Sequence, residues 1–246
     1  MEMKRLALII YCDNTKSGSL TGPPHDNIKY REFLKSNLGG AWYDEEIISL
    51  NNPTSNDVAY YMYSAYDQID YSFTLFTGHG YINVDHNNLQ YLELEDKDVS
   101  ILNLRTKCPK QTLIVDACRG YYSPLKKALE NLILDSYRSF SGDILTTRKL
   151  FEDAVAIADQ GWTTLYAASE NETALDTNEG AAYLLSLLNA SNIWKRTNSD
   201  SKVLPINSAH NIAKVYLQEN FTTTQKPAMS QEKRIRHFPF AVKFIK

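Results

Sequence analysis

Five short apolar runs, at residues 6–11, 47–50, 72–77, 112–116 and 163–168, most limit what this 246-residue chain can fold into. Each is too short to span a membrane and several lack the alternation of a half-wet strand, so they read as strands buried on both faces of a sheet. Between the first two, Tyr30, Phe33, Leu34 and Leu38 recur at helical spacing behind Asp26, which is placed to cap that helix, and Gly39 and Gly40 stop it. Thr54 and Asp57 form a capping-box pattern that opens a second helix through Val58, Met62, Ala65 and Ile69. Strand, helix, strand, helix, strand is the order of a parallel sheet covered by helices on both faces. Helical spacing at 181–188 and 212–217 and an alternating run through Phe238, Phe240, Val242 and Phe244 complete an α/β chain. About six strands are expected, mostly parallel.

With 43% hydrophobic residues and no biased tract, residues 1–246 read as one domain. The stretch from Gly120 to about Gln160 fits the rhythm least. It begins with tyrosines and a proline and passes through SYRSFSGDILTTRK, so a long excursion is expected at about 120–150, with helical spacing returning from Leu150 to Ala158. A net charge of -3 gives no general attraction to nucleic acid or an anionic membrane. The first apolar run ends at Cys12, Asp13 and Asn14, too early for a signal segment, and no stretch nears the roughly 20 apolar residues of a spanning helix. Three scattered cysteines make no disulfide framework, and a reducing cytoplasm is the expected compartment.

In a parallel sheet with right-handed crossovers, the C-terminal strand ends share one edge, where open α/β proteins place their sites. Two strands end there in reactive side chains: SFTLFTGHG delivers His79 between two glycines, and TLIVDACRG delivers Cys118. A free thiol, with a pKa of about 8.5, is mostly protonated at neutral pH and needs an imidazole or other positive neighbour to become a nucleophile. His79 can supply this and, once protonated, donate to a leaving amine. The backbone amides of Gly80 and Cys118 are candidate donors to the oxyanion formed on attack. Taken singly, the histidine reads as an ordinary strand-end residue and the cysteine as a small buried hydrophobe; their joint placement favours chemistry.

TGHG followed by DACRG resembles the caspases, in which a histidine and glycine end the third strand and a cysteine sits in an ACRG context; if the two strands are neighbours here, imidazole and thiol can face each other. The first motif is closer to the metacaspases, prokaryotic metacaspase-like proteins in particular. Three further segments resemble that family: LTGPPHDNIKYREFLKSNLG after the first strand, AASENETALDTNEGAAYLLSLL after the fifth, and QKPAMSQEKRIRHFPFAVKF at the end. The resemblance implies a caspase-like fold and a cysteine endopeptidase acting through His79 and Cys118. Caspases usually carry glutamine two residues before the cysteine and use a basic pocket that selects aspartate. Here that position is Asp116, as in metacaspases, whose acidic first-subsite pocket selects arginine or lysine. Carried over, this implicates Asp116 and Asp26, with Thr77 as a pocket wall. Carboxylates in a cleft suit a guanidinium and repel an acidic side chain. Read without the family, Asp26 is a helix cap and Asp116 a strand-end carboxylate bonded to loop amides.

The resemblance also implies processing of the loop after the cysteine, where Lys126, Lys127, Arg138, Arg148 and Lys149 would suit an enzyme of basic specificity. Some metacaspases require calcium, but Leu125 and the run ELEDKD from Glu93 do not follow their pattern, so neither metal nor other cofactor is expected. Cys12 and Cys108 lack metal-ligand spacing, His25, His86, His210 and His237 lie in polar or turn contexts, and Arg119 reads as a structural anchor. The expected partner is a peptide or protein substrate, alongside a regulatory protein. A catalytically idle module serving as scaffold or regulatory subunit is the competing reading. A nucleotide-binding α/β protein is a weaker third, because no strand is followed by GxGxxG or a P-loop.

Overall fold

A computed structural model describes residues 3–65, 68–120, 144–197 and 200–244. Its principal sheet has six strands: β1 (Arg5–Tyr11), β2 (Ile47–Asn51), β3 (Tyr71–Thr77), β4 (Lys110–Asp116), β5 (Gly161–Tyr166) and β6 (Ala228–Gln231). Their order across the sheet is β6-β5-β4-β3-β1-β2, and every pairing is parallel except that of β6 with β5. The mostly parallel α/β architecture read from the sequence is therefore the one observed.

Side-chain alternation assigns the two faces. Ala7 and Ile9 of β1 point into one core, while Leu6, Leu8 and Ile10 point into the other. The first core is covered by α1 (Gly22–Lys35), α3 (Ile144–Ile157), α4 (Ala182–Arg196) and α5 (Ile206–Asn220), with Phe33, Phe151, Leu184 and Ala209 among the buried contacts. The second lies under α2 (Ser55–Tyr60), a π-turn at Tyr61–Ala65, and a three-stranded antiparallel sheet of Gly80–Asn83, Leu89–Glu93 and Asp98–Ser100. Thr54 and Asp57 close the predicted capping box at the start of α2.

Several expectations change. The first helix starts at Gly22, with Pro23 and Pro24 in its opening turn, so Asp26 lies inside the helix and does not cap it. Prolines suit the first turn because its amides have no partner within the helix, which moves the start four residues upstream of the predicted cap. The sixth strand of the principal sheet is the polar segment AMSQ, whereas the terminal run forms the strand Pro239–Val242 and pairs with Val203–Pro205. All four of its residues are buried. The excursion after the cysteine ends sooner than expected, because α3 begins at Ile144; residues 121–143, with Lys126, Lys127 and Arg138, lie outside the described residues. Arg148 is buried, its guanidinium making two 2.7 Å bonds to Glu46, which removes it from the candidate processing sites.

Among the described residues no helix is long and apolar enough to cross a membrane. The chain passes from β1 to β2 on one side and then returns to β3 on the other, so the connections diverge between β1 and β3. Open α/β sheets form their crevice at the carboxyl ends of such strands.

Candidate active site

Four connections meet at that edge. In the ladder between β3 and β4, Thr77 is level with Asp116. The Gly78 amide donates to the Asp116 carbonyl at 3.1 Å, extending the pairing by one residue. His79 and Cys118 therefore leave neighbouring strands at the same height, each two residues past the Thr77 and Asp116 pair. His79 is buried and Cys118 is half-buried. Gly80 opens the antiparallel sheet and packs on Ala117; a Cβ there would come within 2.9 Å of the Ala117 methyl and 2.8 Å of the Tyr91 carbonyl oxygen. Only glycine lets the histidine strand approach the cysteine strand this closely.

The predicted pocket residues also converge. Asp26 is 1% exposed; one of its oxygens accepts the Thr77 hydroxyl at 2.7 Å and the other the Ala181 amide at 3.0 Å. Thr77 thus bridges the first helix and the histidine strand. Asp116 is buried and accepts the Leu184 amide, while its Oδ2 has no hydrogen-bond partner among the described residues. Asp176, which sequence reasoning missed, is the third carboxylate. It accepts the Gly22 amide at 3.3 Å, and a Cβ on Gly22 would fall on its carboxylate. Gly180 has φ +129, and a Cβ there would collide with Asp26. The segment ALDTNEG carried the signal, an aspartate four residues before a glycine in the stretch resembling a substrate-binding loop.

Two desolvated carboxyl groups, Asp26 and Asp116, resist ionisation together, with Asp176 beside them. Burial pushes Asp26 up to about 8, with Asp176 adding to the rise against the bonds from Thr77 and Ala181. Asp116 is raised well above the ordinary carboxylate range by burial, then by Asp26 and Asp176. Burial, with smaller contributions from Asp116 and Asp176 and against the bond from Ala174, pushes the Cys118 thiol up to about 11. The cluster lies within electrostatic reach of the sulfur, and Asp116 Oδ2 is an open acceptor among the described residues.

A strap from the end of β5 closes the cysteine side. The Asn171 amide donates to the Arg119 carbonyl and the Arg119 amide to the Glu172 carbonyl, both at 2.9 Å, while the Ala174 amide reaches Cys118 Sγ at 3.4 Å. Arg119 stacks over Tyr166, its Cζ 4.3 Å from the ring centroid, and bonds the Ala168 carbonyl, in keeping with an anchoring role.

Cys12 and Cys108 are buried free thiols, the first just past the end of β1 and the second just before the start of β4, at the opposite end of that strand from Cys118. His210 is in α5, not in a turn: it is buried, its Nδ1 lies 2.6 Å from the Tyr183 hydroxyl, and burial lowers it to about 4. In the ELEDKD run, Glu93 accepts from Thr15 and Ser17, Asp96 from Ser55, and Asp98 from Lys16 and Tyr81. Among the described residues no group of three or more His, Cys, Asp or Glu side chains is arranged to hold a metal ion.

The family model described as the caspase domain matches residues 4–239. No curated protein matches the sequence. Among solved structures, the fold is similar to that of caspase-1 from Spodoptera frugiperda, with a TM-score of 0.61 and 14% identity over 93% of this chain and 88% of that one.

Proposed function

The chain belongs to the caspase-domain family and is a cysteine-type peptidase, and on that premise we propose that His79 and Cys118 are its catalytic pair and that it cleaves after arginine or lysine. The observation that carries the pairing is the shared register, which brings both side chains off adjacent strands at one height. In the proposed mechanism Cys118 loses its proton to His79 and attacks the substrate carbonyl. The amides of Gly80 and Cys118 hold the developing oxyanion, and His79 returns the proton to the leaving amine. Water then hydrolyses the thioester.

The preference for a basic residue is supported by the buried carboxyl groups of Asp26 and Asp116 with the half-buried Asp176 beside them, and by the Asp116 oxygen that has no partner among the described residues. An acidic side chain would add a further carboxyl group to a site where ionisation is already opposed, whereas a guanidinium or ammonium would favour the ionised carboxylates and pair with them. We also propose that processing in the loop after the cysteine regulates the enzyme, with Lys126, Lys127 and Arg138 as candidate cut sites; Lys149 lies within α3 and so outside that loop.

The test uses paired fluorogenic peptides ending in arginine, lysine or aspartate. Wild-type protein is expected to cut after arginine or lysine, with activity abolished by Cys118→Ala and by His79→Ala. Asp116→Asn is expected to lose about 2–5 kcal/mol of transition-state binding for arginyl peptides. Aspartate preference would overturn the pocket, and activity surviving Cys118→Ala would overturn the pair.

A further inference from the structure

The strand Leu89–Glu93 touches the main chain of both halves of the site. The Glu93 amide donates to the His79 carbonyl at 3.0 Å, and three residues earlier the Gln90 side-chain amide donates to the Cys118 carbonyl at 3.3 Å. The peptide unit between Cys118 and Arg119 is therefore held at both ends, its carbonyl by Gln90 and its N–H by the Glu172 carbonyl. Gripping that plane limits rotation about the bonds that aim the Cys118 side chain. One residue further on, the Ile82 amide donates to the Gly120 carbonyl at 3.1 Å, which fastens the same loop to the antiparallel sheet.

Packing alone does not account for Gln90. It is 2% exposed, and its Oε1 is buried with no hydrogen-bond partner among the described residues. An unsatisfied amide oxygen in an interior costs about 1–3 kcal/mol, so a leucine or methionine of similar volume would be the cheaper filling. Because its partner is a carbonyl, the amide must present its NH₂ group there.

We propose that Gln90 is a positioning residue that sets the angle between Cys118 and His79, the strand Leu89–Glu93 acting as a fixed spacer between the two. This rests on the reading of His79 and Cys118 as the catalytic pair. Losing the bond frees the Cys118 peptide to turn, and a displacement of the nucleophile by about 1 Å is enough to slow chemistry by roughly a hundredfold.

Gln90→Met keeps the volume and removes the donor. It is expected to lower kcat at least tenfold with KM within about twofold, and to slow Cys118 alkylation by iodoacetamide at neutral pH. Gln90→Glu keeps the shape and can donate only when protonated, so its activity relative to wild type is expected to recover as pH falls while that of Gln90→Met does not. Thermal melts identify any variant that fails to fold, and Gln90→Leu replaces it. Unchanged kcat in folded Gln90→Met, a change in KM alone, or no pH-dependent recovery in Gln90→Glu would each overturn the proposal. Cys118→Ala run in parallel separates that outcome from failure of the catalytic pair itself, which would show as activity retained without the thiol.

Discussion

At the residue scale, the carboxyl cluster makes the proposed pocket sensitive to pH. Burial holds Asp26 at about 8, so it keeps its proton below that value and loses it above. Pairing with a guanidinium requires the ionised form, so cation affinity should rise with pH. Inhibition by agmatine, which stays cationic from pH 6 to 9, isolates binding from the titration of Cys118. Its Ki is expected to fall by up to about tenfold per pH unit between 6 and 8, then to level off. In Asp26→Asn this dependence should flatten; a pH-independent Ki in wild type would show that no proton leaves the pocket when the cation enters. The thiol, pushed up to about 11, is protonated at neutral pH in this state. In the proposed mechanism its activation comes from His79 and from a substrate cation that offsets Asp116 and Asp176.

At the element scale, α3 is the segment that returns the chain from the cysteine strand to the sheet, and it is held by buried charge as well as by apolar packing. Arg148 makes two 2.7 Å bonds to Glu46 and a 2.9 Å contact with Glu152, and Glu46 also pairs with Arg5 of β1 at 3.4 Å. Arg5 lies over Trp42 and Arg148 over Tyr43 at 4.4 and 4.1 Å from the ring centroids. Breaking one member leaves its partner's charge buried, which costs more than an intact pair contributes. Arg148→Met is expected to destabilise by about 3 kcal/mol, a fall in Tm of about 6–12 °C for a chain of this size. Calorimetry checks this; an unchanged Tm would mean that Phe151 and Val155 alone hold the helix.

At the scale of the whole molecule, the cysteine strand and the strand after α3 are neighbours. β4 and β5 pair in parallel from Lys110 with Gly161 to Val115 with Tyr166, and the strap Asn171–Glu172 adds bonds to Arg119. A single cut between residues 121 and 143 would leave this ladder intact. The nicked protein is expected to elute as one species on native size exclusion and to separate into two fragments only in denaturant. Separation without denaturant would show that chain continuity, not the sheet, joins the halves.

The sequence alone determined the alternation of strands and helices, the capping box at Thr54, the delivery of His79 and Cys118 from strand ends, and the acidic residue at position 116. These are local matters, because periodicity and turn chemistry act within a few residues. The resemblance of TGHG and DACRG to known peptidases added Asp26 and Thr77. Only the tertiary structure decided that Asp26 sits within the helix bonded to Thr77, that AMSQ and not the terminal aromatic run is the sixth strand, and that Asp176 and Gln90 face the same site. Asp176 lies 150 residues from Asp26 and Gln90 lies 28 from Cys118. Contacts over such separations leave no trace in hydrophobic periodicity, since what brings them together is the order in which strands assemble across the sheet.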